Sequence, residues 1–288
     1  MEFARSAWLN GGASRPGGDR GGAAEAGLTQ LNLLGPLEIL VSGVTLSPGG
    51  AKPQILFAYL CLNVNRHVSV GNIIEATWGE RPPSSAKKNT QLYVSRLRSQ
   101  FGRTADVRLI TTSDGYQLSV ESDRVDLERC QRLWQLGKES LQNGAPKEAG
   151  RLLREAIRLW RGKPLSGLTK TLFMQAEAAR LEQFRLGLLM KYFQAQLADG
   201  QHFEIIPELL AAVDDYPHQE QLRADLMLAL WRSGQRHAAL AAYREAYQLL
   251  ADELGISPGR QLRTLHQAIL ADDAEIVSGI AANRAISP

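Results

Sequence analysis

Residues 84–101 (SSAKKNTQLYVSRLRSQF) have the hydrophobic spacing of an amphipathic helix. At about 100° per residue, one narrow face collects Thr90, Val94, Leu97 and Phe101. The opposite face is small, polar and cationic, and the segment contains no Asp or Glu. Because solvated helices usually mix Glu with Lys in i,i+4 pairs, a face of one sign favours a polyanionic partner. The alternative interpretation is an ordinary solvated basic helix.

The residues before this segment predict a helix-turn-helix. Residues 69–78 (SVGNIIEATW) space their apolar side chains as a short helix, with Ser69 as its N-cap. Residues 79–83 (GERPP) then break the chain, so that the next helix begins with Ser84 or Ser85 as its N-cap. Two helices joined by a tight break, of which the second is basic, are typical of helix-turn-helix proteins.

Segments rich in β-forming residues flank these helices. Residues 103–120 (RTADVRLITTSDGYQLSV) form two runs around a turn at 113–115, which predicts a β-hairpin. Residues 31–40 and 44–46 are strand-like, and 52–63 form an apolar helix that supplies core to the helix-turn-helix. Helix, turn, basic helix and hairpin together predict a winged helix preceded by a small sheet.

From Val125 onward the hydrophobic pattern is helical and repetitive. Gly144, Gly200 and Gly234 each end a turn between two amphipathic helices, and the 34 residues from Gly200 to Gly234 equal the tetratricopeptide period. We therefore predict three degenerate helix-pair repeats, with an insertion of 22 residues between Gly144 and Gly200. The apolar positions that recur five, nine and twelve residues after each glycine are Ala149, Ile205 and Ala239, then Leu153, Leu209 and Tyr243, then Ala156, Ala212 and Ala246.

These patterns predict a mainly α protein with a small β component, in which an N-terminal winged helix-turn-helix is followed by an all-α, tetratricopeptide-like helical repeat domain. The first residues are rich in Gly, Ala and Arg, a composition typical of disorder. Within them, Trp8 and Leu9 are either inert or a short docking element. The predicted divisions are a disordered N-terminal tail (1–27), the winged helix (28–120), the repeat domain (121–272) and a C-terminal tail (273–288).

The formal net charge of +3 is concentrated in the predicted winged helix. Residues 28–120 carry a net charge of +4, whereas 121–288 carry −1 and 1–27 are neutral. Uniform basicity would mean little, but positive charge that is segregated in one domain favours nucleic acid as the partner.

The sequence lacks the motifs of enzymes and metal sites. There is no P-loop, no G-x-G-x-x-G after a strand and no H-E-x-x-H, and the five His residues are scattered. Cys61 and Cys130 lack metal-ligand spacing, and the paired acids at 214–215 and 272–273 are explained as helix-end caps. No apolar run approaches the ~20 residues of a membrane span. We therefore expect no catalytic residue, no cofactor, no metal, no enzymatic activity and no membrane contact, and a cytoplasmic, nucleoid-associated location.

Four motifs within 31–120 resemble the OmpR-type winged helix of the Streptomyces antibiotic regulatory protein family. They are LLGPLEI, VSVGNIIEATWGERPP, QLYVSRLRSQFG and ITTSDGYQLSV. Thr90 departs from the pattern, which has Leu at that position of the second helix. The segments LREAIRLWRGKPLSGL and YPHQEQLRADLMLALWRSGQRHAALAAYREAYQLLADELGISPGRQLRTLH resemble the bacterial transcriptional activation domain that follows the winged helix in that family. Together the two resemblances cover most of the chain.

The resemblance implies a sequence-specific transcriptional activator. Such activators bind direct repeats in double-stranded promoter DNA as tandem protomers, recruit RNA polymerase holoenzyme with its sigma factor as the expected contact, and switch on secondary-metabolite (antibiotic) gene clusters. Two alternatives stay open: a protein-interaction adaptor whose function resides in the repeats, and a repressor with the same DNA footprint. The carboxylate-free face of 84–101 favours DNA binding over the adaptor, whereas only the resemblance favours an activator over a repressor.

A helix at 84–101 that lies in the major groove would read bases with the N-terminal half of its outer face. Lys88 can donate to guanine, Gln91 can bracket adenine and Ser95 can serve either base, while Leu92 can touch a thymine methyl. Phosphate contacts are predicted for Arg66, Lys87, Arg96 and Arg98, and contacts to the backbone or the minor groove for Arg108, Thr111 and Thr112.

Overall fold

The computed structural model describes residues 29–101, 106–275 and 277. The predicted N-terminal tail, with Trp8 and Leu9, lies outside the described residues, as does most of the predicted C-terminal tail.

The described residues form two compact units. The first, called the N-terminal unit here, comprises the residues up to Leu133 together with Ala156–Arg185. The second, called the repeat unit, comprises Trp134–Glu155 and the residues from Leu186 onward. The N-terminal unit therefore includes residues on both sides of position 120, and the domain boundary predicted there stays a prediction.

A three-stranded antiparallel sheet opens the N-terminal unit. It comprises β1 (Thr29–Asn32), β2 (Glu38–Val41) and β3 (Val44–Leu46), in that order across the sheet. The strand-like interpretation of 31–40 is wrong at its centre, because residues 33–37 leave the sheet as a loop that turns at a Gly-Pro pair.

Three helices follow, α1 (Ala51–Leu62), α2 (Val70–Trp78) and α3 (Ala86–Phe101). α1 buries most of its side chains and forms the centre of the unit, as its apolar composition predicts. The predicted N-cap of α2 is confirmed, since the Ser69 hydroxyl oxygen accepts a hydrogen bond from the Asn72 N–H at 3.1 Å.

The wing is a second antiparallel sheet, with strand order β4-β6-β5. The predicted hairpin is confirmed as β5 (Val107–Thr111) and β6 (Gly115–Val120). β4 (His67–Ser69), which directly precedes α2 and pairs with β6, was not foreseen because three residues carry too little pattern to identify a strand. The two helices and the sheet together form the predicted winged helix.

Beyond a short 3₁₀ helix at Ser122–Arg124, the described chain is helical. Gly144, Gly200 and Gly234 end turns, as predicted, with φ values of 70°, 82° and 76°. This left-handed conformation suits glycine because it has no Cβ to clash. The helices are α4 (Asp126–Gln142), α5 (Pro146–Arg158), α6 (Leu172–Ala198), α7 (Ile206–Asp215), α8 (Glu220–Arg232), α9 (Arg236–Leu254) and α10 (Arg260–Ala271).

The recurring apolar positions of the repeats are buried. This holds for every position five and twelve residues after the glycines, and for Leu153 and Leu209, whereas Tyr243 is partly buried. A Cβ built on Gly137 would lie 2.7 Å from the Leu153 side chain, so α4 and α5 approach too closely for a larger residue there. The predicted insertion corresponds to the non-helical residues 159–171 and to the unusual length of α6, which has 27 residues.

No helix in the part of the chain that the structure describes combines the length and the hydropathy that crossing a bilayer requires.

Candidate nucleic-acid interface

The predicted apolar face anchors α3 in the N-terminal unit. Its four residues, from Thr90 to Phe101, are all buried, and the Phe101 ring lies 5.6 Å from the Phe57 ring of α1, centroid to centroid. The Thr90 hydroxyl, which stands where the family pattern has Leu, donates to the Ala86 carbonyl oxygen at 2.9 Å. Its buried polar group is therefore satisfied within the helix. The other face of α3 is left for solvent or a partner.

The predicted base-reading residues share the exposed outer face of α3. Lys88, Gln91 and Ser95 are exposed, and Leu92 between them is 45% exposed. Among the described residues, no hydrogen bond or ion pair involves the side-chain ends of Lys88 or Gln91. Both can therefore bond to a base edge without first giving up a partner within the protein.

Four of the residues that are predicted to contact the DNA backbone are exposed cations. Lys87 and Arg96 flank the outer face of α3, Arg66 lies in the loop between α1 and β4, and Arg108 lies on β5. Since α3 has no carboxylate of its own, its positive potential is not offset within the helix.

Arg98 joins α3 to the wing. Its Nε donates to the Leu109 carbonyl oxygen at 2.8 Å, and its Nη2 donates to the Thr111 hydroxyl oxygen at 2.6 Å. The guanidinium also lies 5.9 Å from the centroid of the Tyr116 ring. The structure thus brings two predicted contact residues, Arg98 and Thr111, together and bonds them to each other. Sequence analysis missed this positioning role because no spacing signal connects a helix to a strand 13 residues away.

His67 on β4 links the wing turn to the start of α2. Its Nδ1 lies 2.9 Å from the Thr112 hydroxyl oxygen, and its Nε2 lies 3.0 Å from Asp114 Oδ1. A neutral imidazole satisfies both contacts when Nε2–H donates to the carboxylate and Nδ1 accepts from the hydroxyl. The Asp114 carbonyl oxygen also accepts from the Val70 N–H at 3.0 Å. Thr112 is therefore bonded within the wing, and the wing is fixed to the first turn of α2.

Side chains from outside the helix-turn-helix cap the carboxyl end of α2. Lys52 of α1 donates to the Thr77 carbonyl oxygen at 2.6 Å, and the Thr171 hydroxyl donates to the Ala76 carbonyl oxygen at 2.9 Å. Burial and, to a smaller extent, the nearby charge of Lys170 lower the pKa of Lys52. Because Thr171 lies beyond the predicted domain boundary, residues after position 120 help to hold the helix-turn-helix.

A buried carboxylate, Asp126 at the start of α4, holds the loop 33–37. Its oxygens accept hydrogen bonds from the N–H groups of Leu33 and Leu34, each at 2.8 Å, and Arg161 Nη2 lies 3.9 Å away. Burial raises the pKa of Asp126 to about 6, although the backbone N–H groups and Arg161 act in the opposite direction. The N–H groups of Leu33 and Leu34 thus bond to Asp126 instead of to a neighbouring strand. The loop can therefore leave the sheet without leaving these buried donors unpaired.

The described residues contain no group of His, Cys, Asp or Glu side chains placed to hold a metal ion. Cys61 and Cys130 are free thiols, and both are buried. Burial raises the pKa of each thiol, that of Cys130 to about 12. The exposed cations of α3 and of the residues around it are therefore the chemical feature of the N-terminal unit that a function has to explain.

Comparison with known proteins identifies the family of the chain. A family profile described as Bacterial transcriptional activator domain matches residues 125–270. The regulatory protein DnrI of Streptomyces peucetius is 35% identical over 256 residues, a match that covers 86% of this chain and 94% of DnrI. The chain belongs to the Streptomyces antibiotic regulatory protein family. Proteins of this family are transcriptional regulators and not enzymes.

Other relatives match the chain over a similar length. The regulatory protein AfsR of Streptomyces coelicolor is 37% identical over 250 residues, which are 86% of this chain but 25% of AfsR. The solved structure of Mycobacterium tuberculosis EmbR in complex with a low affinity phosphopeptide is similar with a TM-score of 0.82 at 32% identity. That similarity covers 89% of this chain and 69% of the other. The combination of a winged helix with a helical domain is thus shared with a solved structure.

Proposed function

We propose that this chain is a sequence-specific, DNA-binding transcriptional activator. It binds direct repeats in promoter DNA as tandem protomers, recruits RNA polymerase holoenzyme through the sigma factor, and switches on a secondary-metabolite gene cluster. It acts in the cytoplasm on the chromosome and uses no cofactor. Membership of a family of transcriptional regulators supports the general statement, and the outer face of α3 supports DNA reading.

The observation that carries the proposal is the chemistry of α3. This helix has 16 residues, hence a length of about 24 Å, and its outer face is exposed, cationic and free of carboxylates. The major groove, about 12 Å wide, admits such a helix and presents base edges that Lys, Gln and Ser can distinguish. A helix whose outer face is only exposed to solvent usually carries Asp or Glu that pair with its Lys and Arg.

We assign the predicted residues to three roles. Lys88, Gln91 and Ser95 read base edges, with Leu92 against a thymine methyl. Lys87, Arg96, Arg66 and Arg108 contact phosphates and thereby set the register on the duplex. Arg98, Thr111 and Thr112 hold the wing in place, since their polar groups are bonded within the protein.

Selection of bound genomic fragments tests the proposal. Purified full-length protein is incubated with fragmented Streptomyces coelicolor DNA, and the bound fragments are sequenced. We expect the wild type to enrich a spaced direct repeat. Lys88→Ala/Gln91→Ala removes both readers without touching the buried face of α3, so it should lose that enrichment while remaining folded.

The matched control is Lys147→Ala, which removes an exposed cation on α5 and should leave the enriched repeat unchanged. Salt-sensitive retention of DNA without a shared sequence would contradict sequence-specific reading. Transcription in vitro from an enriched promoter then distinguishes an activator, which increases the transcript, from a repressor, which decreases it.

A further inference from the structure

An apolar ridge lies exposed on α7 and the turn before it. Phe203, Pro207 and Leu210 follow the i, i+4 and i+7 spacing of one helical face, and all three are exposed. Phe203 is 67% exposed and Leu210 is 48% exposed. We call these three residues the α7 ridge. Contiguous apolar side chains held in water in this way are typical of an interaction surface.

The ridge is not needed to hold α7 in the repeat unit. The opposite face of the helix buries Ile205, Leu209 and Ala212 completely or almost completely. Truncation of Phe203 or Leu210 would therefore leave the anchoring contacts of α7 unchanged.

The charge around the ridge has a single sign. Residues 192–222 contain six Asp and Glu and no Lys or Arg. Of these acids, Glu204, Asp214 and Asp215 are exposed beside the ridge. Glu208 faces inward instead, where it accepts a hydrogen bond from the Tyr192 hydroxyl at 2.7 Å. The outward-facing carboxylates thus surround the apolar side chains.

Nearby basic groups do not neutralise these carboxylates at the surface. Arg223, whose charge interacts with Asp214, is 6% exposed. Its Nε donates to the Pro217 carbonyl oxygen at 2.7 Å, which holds the guanidinium inside the unit. Arg154 is paired with Glu208, whose carboxylate lies 3.2 Å away, rather than with any of the three outward-facing carboxylates. The field outside the ridge is therefore negative.

We propose that the α7 ridge inserts into an apolar groove with a lysine- and arginine-rich rim on RNA polymerase holoenzyme. A short amphipathic helix with anchors at i, i+4 and i+7 is a recurring ligand of such grooves. The negative field excludes nucleic acid and anionic lipid as occupants, because both would be repelled. The inference rests on the proposed function and extends it, since it names the surface that would make the recruiting contact.

The test measures binding of the full-length protein to RNA polymerase holoenzyme purified from Streptomyces coelicolor. Fluorescence anisotropy of labelled protein gives the Kd for the holoenzyme, and labelled promoter DNA gives the Kd for DNA. One variant, Phe203→Ala/Leu210→Ala, removes the apolar anchors, and a second, Glu204→Lys/Asp215→Lys, reverses two flanking charges. The matched controls are Leu172→Ala/Leu254→Ala, two exposed apolar residues elsewhere, and Glu139→Lys/Asp252→Lys, two exposed acids elsewhere.

We expect both ridge variants to bind holoenzyme about tenfold more weakly, with unchanged affinity for DNA and unchanged thermal unfolding. Both controls should bind holoenzyme like the wild type. If the ridge variants bind holoenzyme as tightly as the wild type, the ridge is not the contact surface, although the proposal that the protein recruits polymerase still stands. If the wild type binds promoter DNA but not holoenzyme, both the role of the ridge and the recruitment of polymerase are contradicted, whereas the proposed sequence-specific DNA binding still stands.

Discussion

Gly115 lies where β6 pairs with β4, and its missing side chain is what allows the wing to form. A Cβ built at this position would lie 2.0 Å from the Val68 carbonyl oxygen, a backbone atom that cannot move aside without breaking the strand pairing. The Ser-Asp-Gly turn signal identified a hairpin in the sequence. The close approach of β4 adds a second reason why this residue is glycine.

We expect Gly115→Ala to destabilise the N-terminal unit by about 1–3 kcal/mol, because the new methyl group overpacks a backbone contact. Guanidinium unfolding measures this change. Gly187→Ala is the control with the opposite expectation, since nothing lies within 4 Å of its Cβ and the residue is inside α6. That substitution should stabilise the protein by about 0.5–1 kcal/mol. Equal effects of the two substitutions would contradict the close approach.

The Asp126 carboxyl makes stability depend on pH. Its pKa of about 6 in the folded chain exceeds the ordinary aspartate value of 3.8, mainly because of burial. Between these two values the folded chain keeps a proton that the unfolded chain has lost, so the free energy of unfolding falls as pH rises. We expect the stabilisation that comes from the protonated Asp126 carboxyl to be fully present below about pH 4 and to be lost by about pH 7. The corresponding change in the free energy of unfolding is about 3 kcal/mol.

Comparison with Asp126→Asn isolates this group, because the other titrating groups are common to both proteins. Asn cannot accept from all the N–H donors, so the variant should be less stable by about 1–3 kcal/mol under acidic conditions. The advantage of the wild type should shrink as pH rises from 4 to 7. A difference in unfolding free energy that is constant over this range would contradict the raised pKa.

At the scale of elements, the position of the wing depends on Arg98. Loss of its bonds to Leu109 and Thr111 in Arg98→Ala should lower the unfolding free energy by about 1 kcal/mol, because the site is partly exposed. The variant should also weaken DNA binding by more than one lost phosphate contact would.

Arg96→Ala is the matched comparison on the same helix. It removes an exposed cation, so it should leave stability unchanged and reduce the salt slope of DNA binding by about one. Unfolding curves and salt titrations of both variants provide the measurement. If Arg98→Ala matched Arg96→Ala in both, Arg98 would be an ordinary phosphate contact.

Elements with regular periodicity were predictable, and contacts between distant segments were not. The 3.6-residue pattern identified the buried face of α3, Ser69 identified the start of α2, and three glycines identified the repeat turns, because each signal is local. The bonds from Asp126 to Leu33 join residues 93 positions apart, and those from His67 to Thr112 join residues 45 apart. No local pattern encodes such pairs, so the loop at 33–37 and the fixing of the wing appear only in the fold.

For the whole molecule, the separation of charge is the main electrostatic feature. Cations face outward on α3, and carboxylates surround the α7 ridge. If the four cations assigned to phosphates each neutralise one phosphate, the logarithm of the binding constant should fall with the logarithm of salt concentration at a slope of about −4 per bound protomer. Anisotropy between low and high salt measures the slope. Lys147→Ala should leave it unchanged, and a shallow wild-type slope would contradict the proposed footprint.

Because Cys61 and Cys130 are buried, their rate of reaction with a thiol reagent reports the opening of the folded protein. Both thiols belong to the N-terminal unit and the sequence has no other cysteine, so a thiol reagent reacts only when that unit opens. The modification rate under native conditions therefore measures how often the DNA-reading part of the molecule opens, with no engineered label. Because a ligand that binds only the closed form lowers the population of the open one, promoter DNA should protect both thiols in proportion to its occupancy.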